Sequence, residues 1–246
     1  MVRIAACQTE DIRHNVEAAV TVLRRFALEA DRKAADVVLF PEGFLQGYFA
    51  DRLTVAQLAV SLESTEFRSV LDALHDIQCV VVFGVLERDA DDFYNTAVVV
   101  RSGEVVCKYR KTHLLEGEKD AFTPGSMCPV FEVAGQKVGL NICFDLNFPT
   151  ATAAVVEQGA SILLCPCNNM MPLRKAEKYK RLHNKIRAER SEEFSAWIVS
   201  SDVTGSRGER ISYGPTAAIN PDGEVVAQVP LLETGMILVD VDCEGT

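Results

Sequence analysis

Short apolar runs, several with no polar residue inside them, alternate with helical periods along nearly the whole chain, and this alternation constrains the fold most. "DVVLF" (36–40), "CVVVFGVL" (79–86) and "SILLCP" (161–166) are too short for core helices and lack the polar alternation of half-exposed strands. Runs of that kind belong to strands covered on both faces. Further strand-like runs span 3–8, 94–100, 104–109, 137–142, 196–202, 215–220, 224–229 and 236–241. Between them, Ile12, Val16, Ala19, Val20, Leu23 and Ala27 trace one helical stripe, and Val55, Leu58, Ala59 and Leu62 trace another. "RSGE" (101–104) and "NPDGE" (220–224) carry the Gly, Asn and Asp of hairpin turns. No internal repeat, low-complexity tract or linker interrupts the 246 residues. The expectation is one α/β domain over 1–246, with some strands in hairpins.

One helical period carries charge. Tyr179, Leu182, Ile186, Arg190, Glu193 and Trp197 follow at steps of three and four, which keeps them on one face. Arg190 and Glu193 then share that face and can pair. A rotated helix with both groups in solvent is the competing reading.

The net charge of −10 argues against nucleic acid or an anionic membrane as partner. No stretch reaches the ~20 apolar residues of a membrane span, and "MVRIAACQT" does not read as a signal peptide. A soluble, cytoplasmic protein is expected. The cysteines (7, 79, 107, 128, 143, 165, 167 and 243) lie mostly inside apolar runs, where Cys is a small buried hydrophobe. They read as reduced and structural, and Cys165 with Cys167 alone is a poor zinc signal.

Cys143 is the exception. In "GLNICFDLNFP" (139–149) an apolar strand gives way at this thiol to a loop with Asp145, Asn147 and Pro149. A plug of the core, a redox thiol, a metal ligand and a nucleophile all fit that position. A nucleophilic thiol needs a base or a cation nearby. Of the histidines, only His113 in "YRKTHLLEGE" has a suitable loop setting. Glu42 in "VVLFPEGF" is the carboxylate alternative, emerging after an apolar strand and Pro41. Apolar neighbours would raise its pKa toward that of a base working near neutrality. Lys111, after "EVVCKY" and Arg110, would supply a cation for an oxyanion. Each is bland alone, because a loop Glu or Lys is usually solvated and a Cys in an apolar run is usually core.

Their order is specific. "RIAACQT", "VVLFPEGFLQGY", "YRKTHLLEGEKDAFTPG", "GLNICFDLNFP", "RAERSEEFSAWIVSSD" and "GPTAAINPDGEVVA" together resemble the nitrilase superfamily of carbon–nitrogen hydrolases, from about residue 3 to 241. The resemblance implies a four-layer α-β-β-α sandwich that dimerises or forms a higher homo-oligomer. It implies Glu42 as general base, Lys111 as catalytic lysine, Cys143 as nucleophile and the Phe144 N–H as an oxyanion donor. A second glutamate maps to Glu118, with Glu116 as its rival. No metal and no organic cofactor are implied. The implied activity is an amidase that converts a small linear amide to acid and ammonia through a thioester. A nitrilase, an N-carbamoyl hydrolase or a catalytically silent scaffold are the alternatives. Asn147 and Thr150 stand where similar proteins carry Arg and Glu. Tyr48, Asn168, Asn169, Met170 and Met171 are the candidate substrate contacts, and Arg174 could meet a carboxylate.

Overall fold

The computed structural model describes residues 1–242, so Cys243 lies outside the described residues. The strands in chain order are β1 (Val2–Glu10), β2 (Val37–Leu39), β3 (Val80–Asp89), β4 (Asp92–Arg101), β5 (Glu104–Arg110), β6 (Val130–Val133) and β7 (Gln136–Leu140). They continue with β8 (Ile162–Pro166), β9 (Met171–Pro172), β10 (Trp197–Arg207), β11 (Arg210–Tyr213), β12 (Ala217–Ile219), β13 (Val225–Gln228) and β14 (Gly235–Val241). The helices are α1 (Val16–Arg32), α2 (Arg52–Leu58), α3 (Thr65–Asp72), α4 (Pro149–Val156), α5 (Leu173–Tyr179) and α6 (Leu182–Phe194). Asn15, Asp51 and Ser64 cap α1, α2 and α3 by accepting from the N–H three residues on, satisfying donors that a helix start leaves free.

Period-two alternation builds the layers. On β1, Val2, Ile4 and Ala6 face one core while Ala5 and Cys7 face another. The second core packs Leu23, Phe26 and Ala27 of α1 and Phe67 and Leu71 of α3 on the sheet β5-β4-β3-β2-β1. The first lies between sheets, joining Val37, Leu39, Val80 and Val82 to Val138, Leu140, Ile162, Leu164 and Val199. Outside the second sheet, Val155 of α4 and Ile186 and Phe194 of α6 pack on Leu163, Cys165 and Ile198. The result is the expected α-β-β-α sandwich.

Strand β10 belongs to both sheets. Its first half pairs with β8 and β12, and its second half pairs with β1 and β11. The change falls at Ser201 and Asp202, the last partner of β8 and the first of β1. Parallel strands β2, β7 and β8 end at the same side, and the chain leaves them at Phe40, Asn141 and Cys167. Sites in such sheets form where strands end.

All the strand-like runs are strands, and both hairpins form. Three strands, β6, β9 and β11, carry no continuous apolar run and were not expected. The charged helix is a correction. It breaks at Lys180 and Arg181 into α5 and α6, and left-handed Ser195 (φ 49°) ends it, so Trp197 already lies in β10. Arg190 does pair with Glu193, but Glu193 is exposed, and the buried cation of α6 is Arg187. Among the described residues no helix is long and apolar enough to cross a membrane. The seven described cysteines are unpaired.

Candidate active site

Cys143 follows β7 by three residues and has φ 46°, a left-handed conformation that non-glycine residues rarely adopt. It opens a short 3-10 helix, Cys143–Asn147. Buried Asp145 holds this turn in place. Its carboxylate accepts from the Ile142 N–H (2.9 Å), the Tyr109 hydroxyl (2.8 Å), the Thr112 hydroxyl (3.1 Å) and the His113 N–H (2.8 Å). One side chain therefore ties the thiol turn to the loop after β5, the loop that carries Lys111. Such over-determination is what lets an unfavourable φ persist. Phe144 is second in the 3-10 helix, where an N–H has no intrahelical acceptor.

Glu42 leaves β2 through Pro41. Its loop crosses β3 at Gly84, where a Cβ would stand 2.2 Å from the Gly43 nitrogen. Only glycine permits that approach. Glu42, Lys111 and Glu118 are each no more than 1% exposed. The Lys111 ammonium donates to Glu42 Oε1 (2.7 Å) and Glu118 Oε1 (2.9 Å). Asn95 Nδ2 donates to the same two oxygens, at 2.7 and 3.3 Å. The Asn168 N–H reaches Glu42 Oε2 (3.0 Å), while the Tyr48 hydroxyl and the Leu115 N–H complete Glu118 (2.8 and 2.7 Å).

Two carboxylates around one ammonium fix the protonation states. Burial alone would lower the Lys111 pKa, but Glu42 and Glu118 carry it well above the usual lysine value, so Lys111 stays charged. Burial raises Glu42, against the pull of Lys111. The Cys143 thiol lies well above its ordinary value through its contact with the Cys167 thiol, burial and the nearby Glu42 charge, with Lys111 opposing. At rest it is a thiol. It becomes a nucleophile only if its proton has somewhere to go, and Glu42 is the buried carboxylate whose charge acts on it.

The site opens into a cavity of about 440 Å³. Glu42, Tyr48, Glu118, Cys143, Phe144, Asn168, Asn169, Met170 and Met171 all reach its wall; Lys111 stands behind the two glutamates, and Arg174 is not on the wall. Lys175, Arg187 and Arg210 bring positive charge to the wall. Cys143 Sγ lies 4.0 Å from Asn169 Oδ1. Glu116 is exposed and paired with Lys119 (2.6 Å), so the position against Lys111 belongs to Glu118. His113 stacks on Phe148 (4.1 Å between ring centres), faces Asp145 and is not on the cavity wall. Cys167, expected as core, reaches the wall and lies 3.2 Å from buried Arg187 Nη2. Asn147 bonds to the Phe144 carbonyl (3.1 Å), and Thr150 is an exposed first-turn residue of α4. Asn95, Asp145, Arg187 and Asp202 escaped the sequence reading. Polar residues inside apolar strands, as in "YNTAVVV" and "IVSSD", were the available signal for Asn95 and Asp202.

Residues 3–246 match the carbon-nitrogen hydrolase family. A nitrilase of Pyrococcus abyssi is 32% identical over 220 residues, covering 87% of this chain and 79% of that protein. An (R)-stereoselective amidase of a Pseudomonas species is 30% identical over 192 residues, covering 78% and 68%. In three dimensions, an amidase from Nesterenkonia sp. AN1 superimposes with a TM-score of 0.85 at 24% identity, over 98% of this chain and 94% of that one. That structure is of a mutant in which acrylamide has added to the active-site cysteine.

Proposed function

The chain belongs to the carbon–nitrogen hydrolase family, the nitrilase superfamily, and from that premise we propose that it is an amidase releasing ammonia from a small linear amide. It is a hydrolase of non-peptide carbon–nitrogen bonds. In the proposed reaction Glu42 takes the thiol proton as Cys143 attacks the amide carbonyl carbon. The developing oxyanion is met by the Phe144 N–H and by the positive charge of Lys111, and a donor of this kind is often worth ~3–4 kcal/mol. Glu42 returns the proton to the departing nitrogen, leaving a thioester and ammonia. It then takes a proton from water, which attacks the thioester and frees the acid and the thiol. Glu118 holds Lys111 and faces the amide nitrogen.

The observation that supports this reading best is the set Glu42, Glu118 and Asn169, three acceptors on the wall beside a protonated thiol. An amide brings two N–H donors to such a wall, whereas a nitrile brings none. Tyr48, Asn168 and Asn169 are the proposed substrate contacts, and residues 1–246 the proposed catalytic domain. The test is ammonia release from a panel of short amides, the matching nitriles and N-carbamoyl compounds. Unbranched amides should be turned over fastest. Release from the nitriles or carbamoyl compounds, with none from the amides, would replace the amidase reading.

A further inference from the structure

We propose that Asn95 is a positioning residue for the reaction: its side-chain amide holds both carboxylates of the site, and its backbone carbonyl holds the lysine between them. The proposal rests on the roles given above to Glu42 and Lys111. Asn95 lies on β4 opposite Leu86 of β3, next to Thr96, which is paired with Arg110 at the end of β5. Its carbonyl accepts from the Lys111 N–H (2.8 Å), so it sets where the chain leaves β5. Its Nδ2 then reaches across to Glu42 Oε1 (2.7 Å) and Glu118 Oε1 (3.3 Å). Glu42, distant in sequence, and the neighbouring Lys111 and Glu118 thus meet on one residue. Asn95 is itself 1% exposed and is not on the cavity wall, so it acts through the others.

The orientation of this amide carries the argument. Asn95 Oδ1 has no hydrogen-bond partner among the described residues, although it is buried. An unpaired buried carbonyl is costly. Turning the amide over would set that oxygen against two carboxylate oxygens, which is worse. The orientation therefore follows from the carboxylates, and an asparagine that merely filled space would not need it. Two carboxylates sharing one ammonium repel each other, and the usual outcome is that one takes up a proton. A second donor common to both lets Glu42 remain ionised, ready for the thiol proton. The bond from Asn95 acts on the Glu42 pKa in that direction, downward against the rise from burial.

The test is carbon-13 NMR of protein labelled at the glutamate carboxyls, with the Glu42 signal identified by its loss in Glu42→Gln. Asn95→Leu keeps the branching and the number of side-chain heavy atoms and removes the amide. In the folded variant the Glu42 protonation midpoint should rise by about one pH unit or more. Turnover on the best amide should fall about tenfold or more, with KM within about threefold, and the acid limb of activity should move up. A role confined to filling space predicts an unmoved Glu42 midpoint and near-wild-type turnover in Asn95→Leu. Should Asn95→Leu not fold, Asn95→Ala is read in the same way. An unmoved Glu42 midpoint in a folded variant overturns the proposal. If wild type hydrolyses no amide, the amidase reading falls, and the NMR midpoint still decides the role of Asn95.

Discussion

Asn169 turns its side-chain carbonyl toward Cys143 because Asp202 grips the other end of the same amide. Asp202 accepts from the Asn169 N–H (3.0 Å) and from its Nδ2, leaving Oδ1 to face Sγ at 4.0 Å. Arg187 Nη2, 3.7 Å away, gives the buried carboxylate its counter-charge. The two residues of the grip come from the loop after β8 and from the point where β10 passes between sheets, so the sandwich itself aims the amide.

That grip makes a pH prediction. Burial pushes the Asp202 pKa up from 3.8 to about 6, with Arg187 and the Asn169 bonds opposing. An acid raised on folding binds its proton more tightly when folded. Its ionised form is therefore a cost at neutral pH, and that cost is relieved as pH falls from about 6 toward 3.8. Calorimetry of wild type and Asp202→Asn should show wild type gaining stability relative to the variant across that window. A difference independent of pH would show that Asp202 does not titrate there.

The nucleophile is tested by Cys143→Ala, which should abolish hydrolysis and leave folding nearly intact. Intact mass after mixing with substrate should show an acyl adduct on wild type alone. Cys165→Ala, at a buried position behind Cys167, should keep most activity and at worst lower stability. Substantial turnover by Cys143→Ala would remove the thiol from the mechanism.

Glu42→Gln should lower turnover by about a hundredfold or more, the usual scale of general acid–base catalysis. His113→Ala should cost far less, since its ring stacks on Phe148 and is off the cavity wall. Steady-state kinetics on one amide ranks the two, and the reverse ranking would favour a Cys–His mechanism.

Many strand runs were legible because burial on both faces leaves unbroken apolar stretches, and Glu42, Lys111 and Cys143 because each follows a strand-like run in a specific motif. What escaped was set by long-range packing. Arg187 follows Ile186 and lies off the stripe that Ile186 shares with Arg190, and α6, which starts anew after Lys180 and Arg181, buries Arg187 and Ser191 while Arg190 stays part-exposed. Asp145 looked like a loop residue of the cysteine motif, and only the fold brings Tyr109 and Thr112 to it. Strand β9 has two residues and β11 four, too few to leave a periodic signal.

Lys111 presents the sharpest distinction, because it is bonded to both glutamates and stands behind them. If its charge acts on the oxyanion, it stabilises mainly the transition state. If it only holds Glu42 and Glu118 together, it is a positioning cation. Lys111→Met keeps most of the length and apolar bulk while deleting the charge. Both roles predict a large loss of turnover, and the transition-state role adds that substrate binding changes little. The opposing pull of Lys111 on the raised Cys143 pKa gives a second readout, independent of substrate. Without that cation the thiol should ionise at still higher pH, and alkylation of Cys143 by iodoacetamide near neutrality should slow. A variant with weakened substrate binding and unchanged alkylation would point to positioning alone. A folded Lys111→Met protein that matches wild type in turnover and in the pH profile of alkylation would show that neither role is real.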